Sequence, residues 1–309
     1  MIMKLRYCKE LQLFCLVLLL TMTSCIDENF SNCVQCSVSV SATDSTGRPL
    51  PAALSGNLKA YLFINGKFDR IVTSEPDGNY LLSYDSRLGS VSLVTIGTSA
   101  QDSVVMHTPS EGDDIGLMSA SVKLDSVTGK YILPSSLYYG VYNYTSGQQG
   151  NNTTQASIVM LNKPVTLRVV VRQLKETFGD GSYSVVISGF RSIMTFTGQI
   201  TGDSIDYSPR SSFDGNNQLV TDAVRSFPNK TGEHVTVSVY KTSDAGKSDT
   251  RASNPTTGTL IWSTDRDENG DYVSLNSGDN KVIILDCGRK EISMSVVPWT
   301  VYTQSVVIP

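Results

Sequence analysis

Histidine is almost missing from this chain. His107 and His234 are the only two in 309 residues. Metal sites and acid–base relays built on histidine clusters are therefore excluded at the outset. No G-x-S-x-G, no H-E-x-x-H and no phosphate-cradling glycine loop occurs. Basic excess is missing too: 25 Lys and Arg against 29 Asp and Glu leave a formal charge of −4, and only 17% of residues are charged. Such a balance excludes a nucleic-acid partner and argues against whole-chain attraction to anionic membranes. Long apolar runs are scarce. The one near the start, Leu11 to Leu20, is too short for a membrane span, which needs about 20 residues.

That run instead has the layout of an export signal. Lys4, Arg6 and Lys9 precede it, and Met22-Thr23-Ser24 gives it a small-residue exit. Cys25 stands at the cut, followed by Asp27 and Glu28. This arrangement resembles the bacterial lipobox, in which the cysteine becomes an acylated N-terminus. Residues 1–24 are then a lipoprotein signal peptide and 25–36 a lipidated tether. The expected location is the outer membrane, on the cell surface.

With Cys8 and Cys15 in the signal and Cys25 acylated, Cys33, Cys36 and Cys287 remain. A disulfide from Cys33 or Cys36 to Cys287, or a short Cys33–Cys36 loop, is open on spacing alone. A redox reading of Cys33-x-x-Cys36 needs a helix start to activate the thiol. The residues that follow, Ser37-Val38-Ser39-Val40, alternate as a strand instead.

Period two dominates the rest. Leu58 to Ile64, Val91 to Ile96, Val165 to Val171, Tyr183 to Ile187, Val235 to Tyr240, Lys281 to Leu285 and Ile292 to Val297 are rich in Val, Ile, Leu and Tyr. Asn65-Gly66 predicts a type I′ hairpin, because both residues tolerate positive φ. Asp77-Gly78 predicts a second turn. Helical periodicity is confined to weak windows at Ile115–Leu124 and Gln218–Phe227. A polar stretch around Gly147 to Gln155 places a boundary near residue 160. The expected domains are 37–160 and 161–309, each a β-sandwich.

Two stretches invite a chemical reading. Asp265-Arg266-Asp267-Glu268-Asn269-Gly270-Asp271 has the alternating oxygens and glycine of half a calcium loop, but Asn276 stands where a bidentate Glu belongs. A polar hairpin loop, with no metal, is the preferred reading. In Leu137-Tyr138-Tyr139-Gly140-Val141-Tyr142-Asn143-Tyr144, residues Tyr138, Tyr142 and Tyr144 share one strand face. An exposed tyrosine row would contact glycans by stacking; a covered one would pack a sheet.

The order of features — the lipid-type Cys25, Cys33 eight residues on, two β-rich halves, the Leu137-Tyr138-Tyr139-Gly140 segment, and the closing Val296-Val297-Pro298-Trp299 to Pro309 — resembles the FimB-like family of fimbrillin-associated anchor lipoproteins of Gram-negative anaerobes. The resemblance implies two tandem transthyretin-like β-sandwiches, a non-enzymatic role without cofactor or small-molecule substrate, and a fimbrial shaft subunit as partner. It also implies that related shaft subunits lose their first strand after an arginine and polymerise by strand exchange. Here the arginine at the matching place is Arg48, and Pro49 follows it. Arg–Pro bonds resist trypsin-like cleavage, so the first strand and its lipid are expected to stay on. The terminal segment, with Val301 opposed in phase to Tyr302, Gln304 and Val306, is a candidate donor strand. Asp44-Ser45, Asp102-Ser103, Asp125-Ser126 and Asp203-Ser204 resemble the glycosylated sites of such organisms. A tip or accessory adhesin, or a glycan-binding surface lipoprotein, are the competing expectations.

Overall fold

The computed structural model describes residues 33–43, 58–85, 89–98, 104–134, 136–145, 155–242, 258–288 and 292–305. The early strands are β1 Cys33–Thr43, β2 Leu58–Ile64, β3 Lys67–Val72, β4 Tyr80–Asp85, β5 Ser90–Thr98, β6 Val104–Met106 and β7 Ser119–Val122. Then come β8 Leu137–Thr145, β9 Gln155–Asn162 and β10 Val165–Arg172, a short helix α1 Leu174–Phe178, β11 Ser182–Thr195 and β12 Ile200–Tyr207. The last are β13 Ser211–Phe213, β14 Leu219–Thr221, β15 Val224–Ser226, β16 Thr236–Thr242, β17 Thr259–Thr264, β18 Asn280–Asp286, β19 Ser293–Pro298 and helix α2 Trp299–Ser305. The fold is all-β, as the period-two pattern predicts.

The first sheet runs β3-β2-β5-β8-β9-β1-β4. Laid flat, its end strands would lie about 29 Å apart at 4.8 Å per spacing. Yet β3 and β4 are joined by only Thr73–Asn79, closed by Glu75 N–H to the Asn79 carbonyl at 2.7 Å. The sheet must therefore fold on itself. It does so where β8 and β9 part: they pair only at Tyr138↔Asn162 and Tyr139↔Leu161. Gly140 permits the parting. A Cβ there would lie 2.3 Å from Ile158 Cγ2, so the isoleucine covers the bare backbone. Inside the folded sheet lie Val38, Leu62, Leu82, Leu93, Ile158 and Met160, all buried. At the Asn65-Gly66 turn both φ angles are positive, 51° and 74°, as the hairpin requires.

The second sheet runs β13-β14-β10-β18-β19, with β15 also on β10. The third runs β17-β16-β11-β7-β6, with β12 also on β11. Val165, Leu167, Val169 and Val171 of β10 join Tyr183, Val185 and Ile187 of β11 in one core. That core continues to the outer face of the first sheet. Phe196 sits 5.0 Å from the Tyr61 ring and 6.3 Å from the Phe63 ring. β6 and β7 precede residue 160 but pair into the third sheet, through Met194↔Ala120 and its neighbours. A cut at 160/161 thus divides that sheet between two chain segments.

Both helical windows of the sequence are corrected. The first is a 3-10 turn, Ile115–Leu117, followed by β7, and the second contains β14 and β15. Local periodicity yields here to strand pairing.

Candidate functional site: the first strand and the chain end

β1 alternates strictly. Cys36 and Val38 point inward and are fully buried, while Gln35, Ser39 and Ser41 are exposed. Its first half pairs antiparallel with β4, from Cys33↔Asp85 to Val38↔Tyr80. Its second half pairs parallel with β9, from Ser37↔Gln155 to Thr43↔Leu161. The Ser39 hydroxyl adds a bond to the Ala156 carbonyl at 3.3 Å. β4 has no other ladder partner in its sheet among the described residues. The first strand is thus the seam of one half of the sandwich. Cys25, Arg48 and Pro49 lie outside the described residues. Eight residues of tether reach at most about 28 Å.

Both described thiols are free, which corrects the disulfide expectation. Cys36 belongs to the core within the first sheet and Cys287 to the other core. Cys33 and Cys36 lie three residues apart on one regular strand, about 10 Å by strand rise, beyond bridging distance. Burial pushes the Cys36 thiol up, opposed in part by its hydrogen bond with Tyr142. Burial, with Asp286 adding, pushes Cys287 up to about 11. Neither is a poised nucleophile.

Tyr138, Tyr142 and Tyr144 share a face that turns inward, the covered one of the two alternatives. Tyr138 is buried, and Tyr144 lies 5.2 Å from the ring of Tyr84. Burial, then the neighbouring Tyr142, holds the Tyr84 hydroxyl well above its ordinary value.

The acidic loop is a hairpin. The Asp267 carboxylate accepts N–H bonds from Asn269 at 2.9 Å and Asp271 at 3.0 Å, so its oxygens close the turn. Tyr272 lies between the His234 ring, 3.8 Å away, and the Arg266 guanidinium, 3.7 Å away. His107 lies 3.8 Å from Asp113 in a separate exposed pair. Among the described residues no group of three or more His, Cys, Asp or Glu side chains is placed to hold a metal.

The terminal segment differs from the alternation read there. Trp299–Ser305 is helical, so Val301, Tyr302 and Gln304 sit on a helix; Val306 lies outside the described residues. Pro298 explains the change. It ends β19, and its ring fixes φ and removes a donor. The Arg168 guanidinium then lies 4.5 Å over the Trp299 ring, holding α2 on the outer face of the second sheet. The sequence reading missed this helix, whose only signal is that proline. It also missed the projecting hairpin over 123–134, signalled by Asp125-x-x-x-Gly129 between apolar residues. Ser126 and Ser204 are exposed; the other two Asp-Ser sites lie outside the described residues.

Among similar solved structures is the fimbrial anchor protein Mfa2 from Porphyromonas gingivalis, with a TM-score of 0.55 and 16% identity over 86% of this chain and 97% of that one. A candidate adhesin from Bacteroides ovatus has a TM-score of 0.57 and 14% identity, over 86% and 95%. A candidate polysaccharide-binding protein from Bacteroides thetaiotaomicron has a TM-score of 0.56 and 15% identity, over 86% and 96%. At these identities the likeness concerns the fold. No curated protein matches by sequence. The model of one family, the fimbrillin-A associated anchor proteins Mfa1 and Mfa2, matches residues 34–305, and the chain belongs to that family.

Proposed function

We propose that this protein is a lipid-anchored base subunit of a surface fimbria, of the FimB-like kind. Acyl chains on Cys25 hold it on the outer membrane. It attaches a fimbrial shaft subunit by strand exchange and limits the shaft's length. It needs no cofactor and turns over no small-molecule substrate.

The observation that carries this reading is the place of β1, bonded to β4 on one side and β9 on the other. A subunit that keeps this strand has no empty groove to accept a donor strand. It stays joined to residue 25 and suits the end of a polymer rather than its middle. Pro49 after Arg48 supports retention of the strand. In the donor role, residues 299–305 leave α2 and extend. Trp, Thr, Val and Tyr favour strands there over helix. The glycan-binding alternative has less support, since its tyrosine row faces inward; the fold it shares with a candidate polysaccharide-binding protein is all that favours it.

Mass spectrometry of the mature N-terminal fragment tests the anchor, and electron microscopy of a deletion strain tests the role. Acylation at Cys25 with an unbroken chain past Arg48, and fimbriae shed into the medium, are expected. A non-acylated N-terminus, or fimbriae still held on cells without this protein, would sink the reading.

A further inference from the structure

The segment after β7 forms a small hairpin that carries an unusual share of the exposed apolar surface. Leu124 bridges Tyr131, and Ile132 N–H donates to the Lys123 carbonyl at 2.8 Å. The tip is fixed by one side chain. The Asp125 carboxylate accepts the Val127 N–H at 2.9 Å and the Thr128 hydroxyl at 2.7 Å. Gly129, with φ of 66°, completes the turn and donates its N–H to the Asp125 carbonyl at 2.8 Å. At the base, Tyr131 packs against the core. A finger closed by these bonds results, and among its exposed residues are four aliphatic ones: Val127 is 91% exposed, Leu124 52%, Leu133 43% and Ile132 40%. Lys123 and Lys130 flank these residues and are exposed.

We propose that the hairpin over 123–134 is a membrane contact: Val127 at its tip and Leu124, Ile132 and Leu133 on its arms enter the interfacial layer of an anionic lipid surface, and Lys123 and Lys130 lie against the phosphates. Two observations select lipid over a protein groove. The finger's exposed apolar residues are aliphatic, without the Trp, Tyr and Arg anchors that dominate protein hot spots. The Asp125 carboxylate is engaged by Val127 and Thr128 and feels Lys123, so two lysines against one carboxylate leave the hairpin net positive. Long lysine stems reach headgroups while apolar neighbours sink, and each contributes attraction to an anionic surface. The acidic balance of the whole chain does not cancel this. Charges more than about 8 Å away are screened at physiological salt. The contact extends the anchor reading by giving a tethered chain a second point of hold, but it does not depend on acylation.

The test uses the exported chain with Cys25→Ser, so that no lipid is attached. Sedimentation is measured with vesicles of phosphatidylcholine plus phosphatidylglycerol and with phosphatidylcholine alone. Binding to the anionic vesicles is expected, weakened by added salt. Val127→Asp, and Lys123→Glu with Lys130→Glu, are each expected to weaken it about tenfold. Leu117→Asp, at a site 79% exposed outside the hairpin, is the control and leaves binding unchanged. All these positions are exposed, so melting temperatures should match. Absence of vesicle binding, equal binding by Val127→Asp, or equal loss with Leu117→Asp overturns the proposal. A protein retained by the parent chain and lost with Val127→Asp would reassign the finger to a protein partner. None of these failures touches the acylation of the native protein, which is read separately by mass.

Discussion

Phe196 is the residue through which the larger core reaches the outer face of the first sheet. It is fully buried, its backbone N–H donates to the Met118 carbonyl at 2.9 Å, and its own carbonyl accepts the Tyr139 hydroxyl at 3.0 Å. Truncation leaves a cavity among Tyr61, Phe63 and Met118. Phe196→Ala is expected to cost about 3–5 kcal/mol in a denaturant titration. A cost below 1 kcal/mol would mean that the outer face of the first sheet does not rest on this ring. Tyr139 supplies a matching pH effect. Burial pushes its hydroxyl up to about 12 from an ordinary value of 10.0. A group whose folded value is raised contributes stability that is whole below its unfolded value and lost as pH rises. Stability should therefore fall between pH 10 and about 12, and Tyr139→Phe should flatten that fall. The buried thiols behave alike. Cys36 and Cys287 should resist alkylation in the native chain and react only on unfolding, as mass labelling with and without denaturant would read.

Elements were legible where a run of β-branched and aromatic residues is buried, on both faces in β2 and β5 and mainly on one in β10. β2, β5, β10 and β18 coincide closely with the runs Leu58–Ile64, Val91–Ile96, Val165–Val171 and Lys281–Leu285. The Asn65-Gly66 turn was legible because its conformation is a property of two residues. What stayed hidden is non-local. No pattern in Ser119 to Val122 says that β7 will pair with β11, and nothing local to the tyrosine row says which face turns inward. The helix α2 is uncapped by any acidic first turn and owes its place to Arg168, over a hundred residues away. Of the candidate site, the strand β1 was readable by alternation, but its two-sided pairing was not, since that depends on β4 and β9. Gly140 shows the same dependence: its role appears only once Ile158 is placed against it. Gly140→Val is expected to destabilise by about 1–3 kcal/mol through overpacking. Ile158→Ala in the same chain should recover part of that loss, and additive costs in the double variant would contradict the contact.

At the scale of the molecule, the first strand closes one half of the first sheet by pairing with β4 and β9. β1 is bonded along both edges and its inward side chains are sealed, so covalent continuity is not what holds it in place. This separates two consequences of a cut after Arg48. On the proposed reading a shaft-type subunit would lose the strand and gain a groove; this fold would hold a nicked strand by its hydrogen bonds and apolar face. In the Pro49→Ala chain, a trypsin-like protease is expected to cut after Arg48, because the bond no longer precedes proline. The fragment ending at Arg48 should separate on a denaturing gel yet co-migrate with the body of the protein under native conditions. Denaturant followed by dilution should release it, and a synthetic peptide covering Cys33–Thr43 should then refill the seam. The unaltered chain should remain whole at that bond under the same protease. Cleavage of the unaltered chain, or spontaneous departure of the strand from the nicked one, would place this protein among subunits that accept a neighbour's strand, and the proposal of a terminal mooring would fall with that result.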